Sequence, residues 1–195
     1  MISMLTGKFI SKTPTQVIVD VQGVGFDVQI SLNTFSRIQD KESGTLFSYL
    51  RVAEDALTLF GFAEPAEREM FIKLISVSGV GAQTARMVLS SMTAGDLVSV
   101  IASGNAKALE SVKGIGKKTA ERLVLELRDK IGGMRIGIST TTDPVSDNTI
   151  EKETLEALVA LGIHKTVAEQ AIQKARKTGE AGNLEELIKL SLKSI

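Results

Sequence analysis

A glycine hairpin that occurs twice constrains this chain more than any other feature. Val77-Ser78-Gly79-Val80-Gly81 returns 35 positions later as Val112-Lys113-Gly114-Ile115-Gly116. The match runs past the glycines. Leu74 aligns with Leu109, Thr84 with Thr119, Ala85 with Ala120 and Val88 with Leu123, so each hairpin lies between apolar helix faces of one register. This pattern predicts two helix-hairpin-helix units. Glycine admits φ > 0 and removes side chains that would hold a phosphate away. The helix that follows starts with unsatisfied N–H groups at the positive end of its dipole, which makes an anion site for a nucleic-acid backbone. The ligand expected is DNA, recognised by shape. Gly79, Val80, Gly81, Gly114, Ile115 and Gly116 would meet phosphates, with Gln83, Arg86, Lys117, Lys118, Thr119 and Arg122 beside them. The second site is the more basic.

Other phosphate motifs fail on detail. Gly116-Lys117-Lys118-Thr119 resembles a P-loop, but that motif needs glycine where Ser111 stands and Ser or Thr where Lys118 stands. Gly23-Val24-Gly25 lacks a third glycine and a following helical pattern, so it reads as a bend between strands.

Composition narrows the function further. Aromatic residues make up only 4%, which argues against base stacking as the main binding mode. With no Cys and the single His164, neither a disulfide nor a thiolate or His-cluster metal site is expected, and no cofactor is implied. The N-terminus has no charged-then-apolar leader and no apolar run approaches the length of a membrane span, so a cytoplasmic location is expected. The formal net charge is zero over 195 residues. It resolves into 5 basic and 6 acidic residues over 1–63, 10 and 8 over 64–134, and 8 and 9 over 135–195. Only the hairpin segment is positive, and an excess of +2 predicts weak binding by a single copy, so several copies would have to act together.

The chain divides into segments of different period. Residues 1–63 read as five short strands, Ile2 to Ser11, Thr15 to Val21, Val24 to Ser31, Thr45 to Val52 and Ala56 to Phe62, broken at Pro14, Gly23, Asn33 and Gly44. An OB-like barrel is the usual five-stranded solution, and pattern alone leaves an SH3-like one open. Residues 64–134 read as five helices carrying the hairpins: one from Pro65, then Ala82 to Ser91, Thr93 to Ser103, Asn105 to Val112 and Lys117 to Ile131. Thr93 with Asp96 is a capping pair. Residues 135–149 read as a flexible linker. Residues 150–195 read as three helices with capping pairs Asn148–Glu151, Thr166–Glu169 and Asn183–Glu186. Having neither basic excess nor a catalytic set, this unit is a candidate partner-binding module through Leu161, Gly162 and Ile163. The fold class is thus multidomain α+β.

This layout resembles the bacterial RuvA family, the Holliday junction-binding subunit of the branch migration machinery. The resemblance covers the whole chain. Its most specific stretch is Gly114-Ile115-Gly116-Lys117-Lys118-Thr119-Ala120-Glu121-Arg122-Leu123, with Gly79-Val80-Gly81 before it and Gly61-Phe62 closing the barrel. It implies a non-catalytic homotetramer that holds a four-way DNA junction open and square. It also implies a UBA-like C-terminal unit that recruits a RuvB-type hexameric ATPase, a RuvC-type resolvase as further partner, and a role in recombination, repair and the SOS response. Whether one tetramer or two, an octamer, enclose the junction is left open. Glu54 and Asp55 match the family's acidic pin, which would project to the junction centre and repel phosphates. Two positions depart from the family: Ala53 where Arg is frequent, and Gln83 where Lys is common.

Two rival readings remain at this point. A helix-hairpin-helix glycosylase needs a catalytic carboxylate and a base pocket after its hairpin, yet Glu121, Glu126 and Asp129 lie on one continuous helix before the linker. A scaffold that binds duplex non-specifically, or binds protein through the hairpins, is the other.

Overall fold

The computed structural model describes residues 1–131, 147–177 and 183–195, without the side chains of 129, 147–149 and 177. The expected linker over 135–149 lies outside these except for its last three residues. Two compact units result, residues 1–138 and 139–195.

Five strands, β1 Met4–Thr13, β2 Gln16–Val21, β3 Val24–Ile30, β4 Ser43–Val52 and β5 Leu57–Phe62, close a barrel in the order β1-β2-β3-β5-β4. All neighbours are antiparallel except β3 and β5, which run parallel with Val28 opposite Leu59. This is the OB-like solution. Alternation along the strands turns Val17, Val19, Val28, Ile30 and Leu46 inward, each essentially inaccessible. Gly61 is required by packing, since a Cβ there would stand 2.5 Å from Val28 Cγ1. The Gly23 bend is a two-residue hairpin, with Gln22 at φ 53° and Gly23 at φ 91°.

A short helix, α1 Leu32–Ile38, lies between β3 and β4 where the sequence pattern shows only a strand break. Distant residues hold it. Ser31 caps its N-terminus by accepting from Thr34 N, and Lys12 Nζ on β1 donates to the carbonyls of Gln39 at 2.7 Å and Lys41 at 2.6 Å just past its end.

Five helices follow: α2 Pro65–Ile75, α3 Ala82–Ser91, α4 Ala94–Ala102, α5 Ala106–Glu110 and α6 Lys117–Ile131. Thr93 and Asp96 form the reciprocal capping box at α4. The barrel keeps a core of its own, and its strand β5 also enters the core of these helices despite the change of period at residue 63. Phe71 of α2 packs against Phe60 and Phe62 of β5 at ring-centroid distances of 5.0 and 4.9 Å, and against Tyr49 of β4 at 5.4 Å. A polar joint lies beside it: the buried Glu67 carboxylate accepts from Ser31 Oγ and from Thr34 Oγ1, the latter at 2.7 Å. Burial raises the Glu67 pKa, and the two hydroxyls oppose that rise.

The second unit contains α7 Asp147–Ala160, α8 Lys165–Lys177 and α9 Leu184–Lys193 around Leu158, Ala168, Ile172 and Leu187. Of its expected caps, Asn183 accepts from Glu186 N at 2.9 Å. Two expectations are corrected. Helix α8 begins one residue before Thr166, with the His164 carbonyl accepting from Val167 N and Ala168 N. Asn148 lies inside α7, and its side chain is outside the described residues. No single helix among the described residues is long and apolar enough to cross a membrane.

Candidate nucleic-acid interface

The two hairpins are built alike. Val77 N donates to Leu74 O and Val80 N to Val77 O at 3.1 and 3.0 Å; in the second copy Val112 N donates to Leu109 O and Ile115 N to Val112 O at the same distances. Gly79 and Gly114 have φ of 90° and 94°, in the left-handed region that glycine makes possible. Val80 and Ile115 are each 5% exposed. They point into the core and their N–H groups are spent within the turn, so these two residues anchor the hairpins and offer no donor to a ligand.

The glycines face outward. A Cβ on Gly79, Gly81 or Gly116 would meet nothing within 4 Å. Gly81 precedes α3 with no side-chain cap. The amides of Gly79, Gly81 and Gln83, and those of Gly114, Gly116 and Lys118, meet no acceptor among the described residues. Such donors at two helix starts can receive phosphate oxygens. Lys117 and Lys118 are exposed and unpaired among the described residues, while Thr119 is half-buried.

Three other expected contacts are engaged within the protein. Gln83 Nε2 donates to Gln29 Oε1 on β3 at 2.9 Å. Arg86 Nη1 donates to the carbonyl of Thr15, in the β1–β2 turn, at 3.0 Å, and burial pushes its guanidinium pKa below the ordinary value. Arg122 reaches the Ser78 carbonyl and lies 3.9 Å from Glu126. These partners stand 54, 71 and 44 residues away in the chain, beyond the reach of local pattern.

Glu54 and Asp55 form the tip of the β4–β5 hairpin, closed by Ala53 N donating to Ala56 O at 2.9 Å, and both are exposed. In the second unit Gly162, at φ 90°, ends α7: its N–H bonds Val159 O and Ile163 N–H bonds Leu158 O, a Schellman closure. The turn sends Ile163 against the core and leaves Leu161 64% exposed.

A closed five-stranded barrel whose strand β5 enters the core of two equivalent hairpin units defines a tandem helix-hairpin-helix protein. The models of the RuvA N terminal domain, the SAM-like helix-hairpin-helix tandem and the RuvA C-terminal domain match residues 1–61, 71–129 and 149–195. A Holliday junction branch migration complex subunit RuvA from Cytophaga hutchinsonii is 46% identical over 99% of both chains. Proteins of the same description from Christiangramia forsetii and Bacteroides fragilis are 42% and 40% identical over the full length of each chain. The chain belongs to the RuvA family.

Proposed function

We propose that this protein is the DNA-binding subunit of a Holliday junction branch migration complex. It binds the four-way junction through backbone phosphates and carries out no chemistry itself; ATP hydrolysis belongs to a RuvB-type partner. The observation that carries this reading is the pair of outward hairpins with open amides, set in a chain whose full-length relatives are described as subunits of that complex.

The finer reading follows from charge and valency. One copy offers two hairpins and an excess of +2 over residues 64–134, so a homotetramer in the cytoplasm supplies the multivalent grip that one chain lacks. Glu54 and Asp55 stand at the junction centre and repel phosphates there. The second unit engages the ATPase through the exposed Leu161 and the Gly162–Ile163 turn, and a RuvC-type resolvase acts on the same junction. Native gel shift of a labelled four-way junction, with linear duplex of equal length as competitor, tests the reading. Retention of the junction complex under excess duplex is expected, and equal competition by both ligands overturns it.

A further inference from the structure

Helix α3 starts from the first hairpin and is fastened to the barrel along one side. Gln83, Arg86 and Ser90 recur at spacings of three and four residues, which places them on a single helix face. Each meets the barrel unit: Gln83 bonds Gln29, Arg86 bonds the Thr15 carbonyl, and Ser90 Oγ accepts from Leu32 N at 3.1 Å. At the C-terminal end of the helix, Asn33 Nδ2 donates to Leu89 O and Met92 O at 2.6 and 3.1 Å. The Thr15 carbonyl also accepts from Ile30 N at 3.0 Å, so Arg86 completes an acceptor that the end of β3 already holds. The second hairpin has no such seam: Lys117 and Lys118 beside it are exposed and without intramolecular partners among the described residues.

We infer that Arg86 is a positioning residue and not a phosphate ligand: its bond to Thr15 fixes the first hairpin relative to the barrel, and that fixed spacing selects a four-way junction over a duplex. This rests on the DNA reading above. Junction and duplex present the same phosphates and differ only in how these are arranged. Discrimination between them must therefore come from the relative placement of protein surfaces, and a charge-assisted bond from α3 to a barrel carbonyl sets one such placement.

The test is a set of dissociation constants for junction and duplex across a salt series, using the full-length wild type, Arg86→Met and the control Lys118→Ala. Methionine keeps an apolar stem and removes both charge and donor. Arg86→Met is expected to leave the salt slope of both ligands unchanged and to lower the junction-to-duplex preference about fivefold or more. Lys118→Ala is expected to reduce the slope by about one for each copy that engages the DNA. A slope for Arg86→Met that falls as in the control, or a preference that stays at the wild-type value, overturns the inference and leaves the DNA reading intact. A wild type with no junction preference overturns both. If Arg86→Met does not fold, as judged by circular dichroism, Gln83→Ala weakens the same seam and is read in the same way.

Discussion

Arg122, on the helix after the second hairpin, donates from Nη1 to the carbonyl of Ser78 in the first hairpin at 3.3 Å. The relation is reciprocal: a Cβ on Gly114 in the second hairpin would meet Met87 Cε, on the helix after the first, at 3.5 Å. Each hairpin thus rests on the other repeat's second helix. The two amide sites therefore belong to one braced surface.

Gly81 and Gly116 allow the cleanest test of that surface. Gly81 has φ −82°, which any residue adopts, and open space surrounds a Cβ at both positions. Alanine there trades a poorer helix cap against a less flexible unfolded chain, so the melting temperature stays near wild type. The methyl occupies the place a phosphate would approach, and junction affinity is expected to fall at least tenfold, about the worth of one charge-assisted bond in a single copy. Isothermal titration checks this; unchanged affinity would remove the amides from the interface.

Gly79→Val and Gly114→Val combine that obstruction with strain. At φ of 90° and 94° a β-branched residue is forced into the left-handed region at a cost of about 1–2 kcal/mol or more. These variants are expected to lose both stability in urea and junction affinity, whereas the alanine pair loses affinity alone.

Neutralising the barrel tip as Glu54→Gln with Asp55→Asn removes two charges per chain while keeping side-chain size. If the tip faces phosphates, duplex affinity is expected to rise more than junction affinity. Charges remote from DNA, screened over about 8 Å, would alter both ligands equally. The ratio of the two dissociation constants at one salt concentration decides.

A chain of residues 1–143 keeps the compact first unit whole. It is expected to bind junctions as the full chain does and to stop stimulating ATP-driven branch migration by the partner. Full stimulation would move the partner's contact into the first unit.

Glu67 sets a pH dependence whose sign follows from burial. Its pKa is raised above 4.5 in the folded chain, so as pH climbs from that value the folded protein holds a proton that the unfolded chain has released. Stability contributed by this residue therefore falls with rising pH until the carboxyl ionises in both states. Urea unfolding between pH 4.5 and 7 should show that decline in wild type and a flatter profile in Glu67→Gln.

Local signals made much of this legible from the chain. The glycine spacing located both hairpins, and alternation between turn residues located the five strands, because each depends on neighbours a few positions apart. Helix α1 escaped because its supports, Lys12 and Glu67, lie on other elements. Arg86 and Gln83 carry the right chemistry for DNA, yet only tertiary structure reveals that Thr15 and Gln29 already hold them. At α8, the Thr166–Glu169 spacing imitated a cap that the His164 carbonyl displaces by starting the helix earlier.

The parallel pairing of Val28 with Leu59 gives the barrel a timetable. Closure waits until nearly all of the first 62 residues exist, and β3 and β5 carry naked ladder edges until then. During that interval a strand from another chain could take the vacant place. Afterwards β5 covers β3 only over Val28–Ile30, and the Val24–Asp27 stretch keeps a ladder edge open on that side, so the opening narrows without vanishing.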